Sequence, residues 1–198
     1  MIPGRRRFND KGQAFPLYMT AAMGLLFVAL AYFAVGQAAV LRNGAQTAAD
    51  AAALAAAQET RDRLWLDIED LVGGDDLDGL EDLLDGRGPV TDQGCAEAQR
   101  FAAENNADSI GCERQYRPLG YTVRVETRDT VGDTIVPGVE DDKATAEATA
   151  VVEPRCSLDL EDPKNGVIEC DGEDWTIDPD DLDSLPDAAD LFSVRLSD

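Results

Sequence analysis

The chain has 198 residues, 44% hydrophobic and 6% aromatic, with no histidine and a formal net charge of −23. Without imidazole, Ser-His-Asp and Cys-His catalysis and histidine-held metals are excluded. A surface this acidic argues against nucleic acid or anionic lipid headgroups as partners, and the length leaves room for one small domain besides a membrane segment.

Residues 1–12 read as a basic cytoplasmic tail, with Arg5, Arg6, Arg7 and Lys11 against Asp10. From Gly12 to Leu41 thirty consecutive residues carry no charge. At about 1.5 Å per residue, about 20 apolar residues cross a hydrocarbon layer of about 30 Å, so residues 13–41 are long enough to be a transmembrane helix. Residues 42–198 hold 13 Lys and Arg against 39 Asp and Glu. Basic flanks stay inside, which predicts a single-pass cell-membrane protein with a cytoplasmic N-terminus and an extracytoplasmic head. A cleaved secretory signal is the rival reading, but its apolar region is usually about 7 to 15 residues, roughly half this run. Pro16 suits a first helical turn, whose N–H groups lack intrahelical partners. Thr20 with Gly24 and Ala34 with Ala38 give four-residue small-residue spacings that let another helix approach, although small residues are common throughout this alanine-rich chain. Tyr18 and Tyr32 suit the two interfaces.

Residues 42–73 predict a membrane-proximal helix. Alanine, the best helix former, fills Ala45 to Ala57, and Leu64, Trp65, Ile68, Leu71 and Val72 share one face until Gly73-Gly74. Thr47 and Asp50 have capping-box spacing, which favours a fresh start after Asn43-Gly44. A glycine inside a helix costs only about 1 kcal/mol, which favours one continuous rod, with room for a bend.

Residues 74–198 form the acidic head. Leu77, Leu80, Leu83 and Leu84 space a short helix; Asp76, Asp78 and Asp82 lack the calcium-loop pattern. Pro89 ends that stretch, and Thr91 or Asp92 can cap a helix to about Asn105 with Cys95, Ala98, Phe101 and Ala102 inward. Strict alternation then marks two strands: Tyr121, Val123, Val125 and Thr127 on one face of the first, and Ala144, Ala146, Ala148, Ala150 and Val152 on one face of the second. Gly132 and Pro137-Gly138 fit the connection between them. An alanine face leaves room for a helix to lie close. Val167–Cys170 and Asp174–Ile177 predict a hairpin around Asp171-Gly172, and a short helix and a strand near 193–196 close the chain. Asp178-Pro179-Asp180-Asp181 reads as an acidic helix cap or a cation site.

Cys95, Cys112, Cys156 and Cys170 all lie beyond the span, where an even number in an oxidising compartment predicts two disulfides. Three pairings are open. The nearest-neighbour pairing closes two short loops, each adding about 3 kcal/mol in the chain-entropy model. Neither CxxC spacing nor histidine supports a metal site instead. Phosphate-loop, dinucleotide and GxSxG patterns are missing, and with 40 acidic residues carboxylate pairs carry no catalytic signal. The chain is therefore expected not to be an enzyme, and to use no cofactor, small-molecule substrate or nucleic acid. The fold class expected is α+β: a long N-terminal transmembrane helix continuing into an Ala-rich one, then a small disulfide-containing domain with an antiparallel sheet.

The stretch Asp10-Lys11-Gly12-Gln13-Ala14-Phe15-Pro16-Leu17-Tyr18, the apolar run, and Arg42-Asn43-Gly44-Ala45-Gln46-Thr47-Ala48-Ala49-Asp50-Ala51-Ala52-Ala53-Leu54-Ala55-Ala56-Ala57 resemble the N-terminal region of TadE/TadG-like Tad (Flp) pilus-assembly proteins. The resemblance covers about residues 8 to 58. It implies a pseudopilin-like, membrane-anchored structural or assembly component whose partners are the membrane and other pilus or secretion-system membrane proteins. It also implies prepilin-peptidase cleavage between Gly12 and Gln13, but Leu17 stands where that pattern normally has Glu. The alternative function is a membrane-tethered acidic binding module for a cation, a basic peptide or a cell-wall ligand.

Overall fold

A computed structural model describes residues 14–74, 79–85, 87, 93–132, 138–159, 166–178 and 180–197. The Gly12–Gln13 site, the basic tail, Asp76, Leu77, Asp78, Pro89, Thr91, Asp92, Pro137 and Pro179 lie outside the described residues.

Helix α1 runs unbroken over Ala14–Gly73, 60 residues, or about 90 Å at 1.5 Å per residue. Of the two readings at Asn43-Gly44, the continuous rod is the one observed. Thr47 does not cap a new helix; its hydroxyl donates back to the Asn43 carbonyl at 3.0 Å, within the same rod. The rod ends at Gly74, whose N–H donates to the carbonyls of Asp70 and Leu71.

A single side of the helix changes from bare to covered along its length. None of its residues before Ala45 is buried, whereas Ala45, Ala48, Ala49, Ala52, Ala53, Ala56 and Ala57 are all fully buried, followed by Leu64, Ile68 and Val72. They pack on the first of two antiparallel sheets. Its strands are β1 (Ala107–Tyr116), β2 (Leu119–Thr127), β3 (Thr145–Pro154) and β7 (Phe192–Ser197), in the order β1-β2-β3-β7. The inward residues are the alternating ones expected: Tyr121, Val123 and Val125 from β2, and Ala148, Ala150 and Val152 from β3. Methyl side chains on both elements keep the helix backbone close to the sheet. The opposite sheet face is polar, with Arg124 on Glu147 at 2.6 Å, Arg128 on Asp108 at 2.7 Å and Thr122 on Thr149 at 2.8 Å.

Helix α3 (Gln93–Glu104) lies beside α1 over β1 and β2. Gly94 makes that approach possible: a Cβ there would sit 2.6 Å from the Tyr121 ring and 3.0 Å from the Ala56 carbonyl. Below it, the buried Thr60 hydroxyl lies 3.1 Å from both the Ala56 carbonyl oxygen and the Tyr121 hydroxyl. Tyr121→Phe should lower stability by about 1 kcal/mol, because Thr60 keeps Ala56 as its partner. An unchanged urea midpoint would show that this hydroxyl pair contributes nothing.

Two strands were not legible in the sequence. Strand β1 has its alternation broken by a register shift between Ser109 and Gly111. Strand β4 (Cys156–Asp159) is only four residues long and forms the second sheet with β5 (Val167–Cys170) and β6 (Glu173–Thr176), in the order β4-β5-β6. The β5–β6 turn is the expected Asp171-Gly172, with φ of 50° and 91°, as a two-residue hairpin turn requires. Helix α2 (Leu80–Leu84) buries Leu80, Leu83 and Leu84, so these leucines extend the core under the end of α1. A 3₁₀ turn (Leu182–Ser184) and α4 (Ala188–Leu191) then lead into β7. Cys95 with Cys112, and Cys156 with Cys170, stand at disulfide distance, with Cα separations of 5.8 and 4.1 Å. The first pair ties α3 to the edge strand β1; the second joins directly opposed residues of β4 and β5. The architecture is thus the expected α+β, a long N-terminal helix followed by antiparallel sheets.

Candidate functional site

Everything that distinguishes this molecule from an ordinary α+β domain lies on the first half of α1. Residues 14–41 carry no ionisable group except the phenols of Tyr18 and Tyr32, and the helix is long and apolar enough to cross a membrane. Phe15, Tyr18, Leu25, Phe27, Tyr32 and Val40 are each at least two-thirds exposed. A helix satisfies its own backbone groups, and the Thr20 hydroxyl donates to the Pro16 and Leu17 carbonyls at 3.1 and 3.0 Å. The hydroxyl hydrogen is thus satisfied within the helix.

An α-helix turns about 100° per residue, which places Thr20, Gly24, Ala34 and Ala38 along one stripe. The same rotation carries the stripe onward into Ala45, Ala49, Ala52 and Ala56, which the head covers. The small-residue face of the bare half is therefore a continuation of the face that the head covers in the other half. A Cβ at Gly24 or Gly36 would meet nothing within 4 Å.

At the junction of the two halves, the loop after β2 reaches down beside the helix. Asp129, Thr130 and Val131 face Tyr32, Phe33, Gly36, Gln37, Val40 and Leu41 across an open groove of about 540 Å³. The loop is braced by Val131 N–H donating to Asp142 O at 2.9 Å and Gly132 N–H to Glu140 O at 3.0 Å. Asn106 Nδ2 donates to the Asp129 carboxylate at 2.5 Å.

Among the described residues no group of three or more acidic or cysteine side chains converges to hold a metal ion. Asp82 bonds Arg87 at 2.8 Å, and Asp178 accepts the Asp180 N–H at 3.0 Å in a local turn. A smaller groove at the far end of α1 is lined by Asp67, Asp70, Asp82 and Arg87 over Leu71 and Leu83. Partial burial, and then the neighbouring Asp70, raise the Asp67 carboxyl above its ordinary 3.8, against the opposing pull of Arg63. The folded chain therefore holds this proton more tightly than the unfolded one, so charging Asp67 costs stability as pH rises through the window that opens above 3.8. Asp67→Asn should raise the urea midpoint at neutral pH, and the gain should vanish as the pH is taken below that window. A midpoint that does not move at either pH would show that Asp67 carries no such burden.

The sequence predicted the apolar run and its small residues. It gave no sign of the groove, because Asp129–Val131 meets Gly36–Leu41 only through the β2–β3 connection. No curated protein and no solved structure matches the chain. Residues 12–59, which join the bare apolar half of α1 to its alanine-packed half, match the family described as "Putative Flp pilus-assembly TadE/G-like".

Proposed function

We propose that the protein is a membrane-anchored structural component of Flp pilus assembly, pseudopilin-like in build. In this reading the bare half of α1 anchors the chain in the bilayer, the basic tail is cytoplasmic, and the acidic head stands outside. The observation that carries it is the division of one 60-residue helix into an uncharged exposed half and a half built into a folded head, with the family match spanning the division. Charge supports the orientation: four basic residues against Asp10 precede the run, and 39 acidic against 13 basic residues follow it. The role is structural and the partners are other membrane proteins of the pilus machine, which agrees with a family of pilus-assembly proteins. The cysteines form two disulfides in an oxidising compartment, and Thr20, Gly24, Ala34 and Ala38 pack against other helices. Processing between Gly12 and Gln13 belongs to the same reading.

Deleting the gene should abolish surface pili counted by electron microscopy, and the full chain supplied in trans should restore them. Unchanged piliation in the deletion strain would remove the assembly role. Intact mass of the membrane-extracted protein tests the processing separately: a terminus still at Met1 removes cleavage at Gly12.

A further inference from the structure

The apolar half of α1 is longer than a bilayer needs. Residues 14–41 extend about 42 Å, against about 30 Å of hydrocarbon, and tilt alone would have to reach about 45°, beyond the usual range of about 0 to 40°. Lys11 sets the inner boundary, so about 20 residues of span place Tyr32, which is 81% exposed, at the outer interface where tyrosine is favoured. The head prevents the remainder from sinking further. Its loop lies alongside Gly36–Leu41 and carries Asp129, with Asp142 paired to it through the backbone, and a carboxylate does not enter hydrocarbon cheaply. Residues 34–41 therefore stand above the lipid as an apolar stalk, with Val35 and Val40 about 70% exposed and, among the described residues, only one side walled by the loop.

Resting on the membrane reading above, we propose that the groove between Tyr32–Leu41 and Asp129–Val131 seats the apolar helix of a different membrane protein whose segment just outside the membrane is basic. Gly36 supplies the notch: no side chain of the described residues fills it, and Tyr32 and Val40 flank it one turn away on the same face. Acyl chains do not reach this height, so a protein helix must cover the stalk. Charge selects which helix. Among the described residues neither Asp129, Asp141 nor Asp142 is in an ion pair, and the region beyond the span holds 39 acidic against 13 basic residues. A second copy of this chain, parallel in the membrane, would set these carboxylates against their own kind within about one Debye length. A basic flank on the occupant is attracted instead.

The test uses the full chain in its native membranes, with the photo-crosslinker p-benzoyl-phenylalanine at position 40. The expected product is an adduct with another single-span protein whose outer flank is net positive. Its yield should fall about tenfold in the D129K/D142K double variant, and about tenfold in wild-type membranes at about 1 M salt, where screening acts without any mutation. An adduct of twice this chain's mass, lipid adducts alone, no adduct, or a yield indifferent to salt would each overturn the proposal. Alkaline carbonate extraction separates the two failures. A chain that is released defeats the membrane reading and this proposal together; a chain that stays in the pellet without the adduct defeats only the proposal.

Discussion

Gly120→Val should destabilise the head more than any other single change on β2. A Cβ at Gly120 would lie 2.3 Å from the Ala150 carbonyl oxygen and 3.1 Å from Val151 Cα, both on the paired strand β3. The obstacle is backbone in the middle of a four-stranded sheet, so it cannot swing aside as a side chain would. Relief requires β2 to move away from β3, which would also lift Tyr121 and Val123 from the alanines of α1. Overpacking of this kind costs about 3 kcal/mol or more, a large fraction of the roughly 5 to 15 kcal/mol that holds a domain together. The measurement is the urea midpoint of the full chain in detergent, followed by near-ultraviolet circular dichroism. Gly111→Ala is the comparison: its Cβ would lie 3.7 Å from Arg124 Cβ, an ordinary contact, and its midpoint should stay within about 0.5 kcal/mol of wild type. A wild-type midpoint for the valine variant would mean that β2 and β3 are not held as close as their register requires.

The second large effect is expected in the bare half of α1. Leu25 and Val28 are 73% and 64% exposed and lie near the middle of the proposed span. A carboxylate at the centre of a membrane helix costs about 2.5 to 3.5 kcal/mol on insertion scales, so Leu25→Asp with Val28→Asp adds about 5 to 7 kcal/mol against insertion. The double variant should move from the carbonate-resistant membrane pellet to the soluble fraction or be degraded. Leu66→Asp, on the head half of the same helix at a 45% exposed position, should remain in the pellet. If the double variant also stays there, the anchor is not this stretch of helix. The contrast between two surface positions on one helix separates the membrane role from general damage to the rod.

The sequence alone determined those elements whose signal is local. Thirty uncharged residues, an alanine run, strict alternation in β2 and β3, and the Asp171-Gly172 turn each state their structure within a few neighbours, because period and turn chemistry are properties of adjacent residues. The prediction that an alanine-faced strand accepts a helix was also legible, since methyl groups set how closely a backbone can come. Only the tertiary structure decided what depends on partners distant in sequence. Strand β1 exists through pairing with β2 across an irregular register and through Cys112 meeting Cys95, and β4 exists because Cys156 lies opposite Cys170. Neither segment shows a period of its own. The continuity of α1 through Asn43-Gly44 was undecidable locally, since a cap and an uninterrupted helix differ by about 1 kcal/mol, and the packing of Ala45 to Ala57 on the sheet outweighs that difference. The groove beside Gly36 was the least legible feature. It is formed by residues more than eighty positions apart, and nothing near either one records the other.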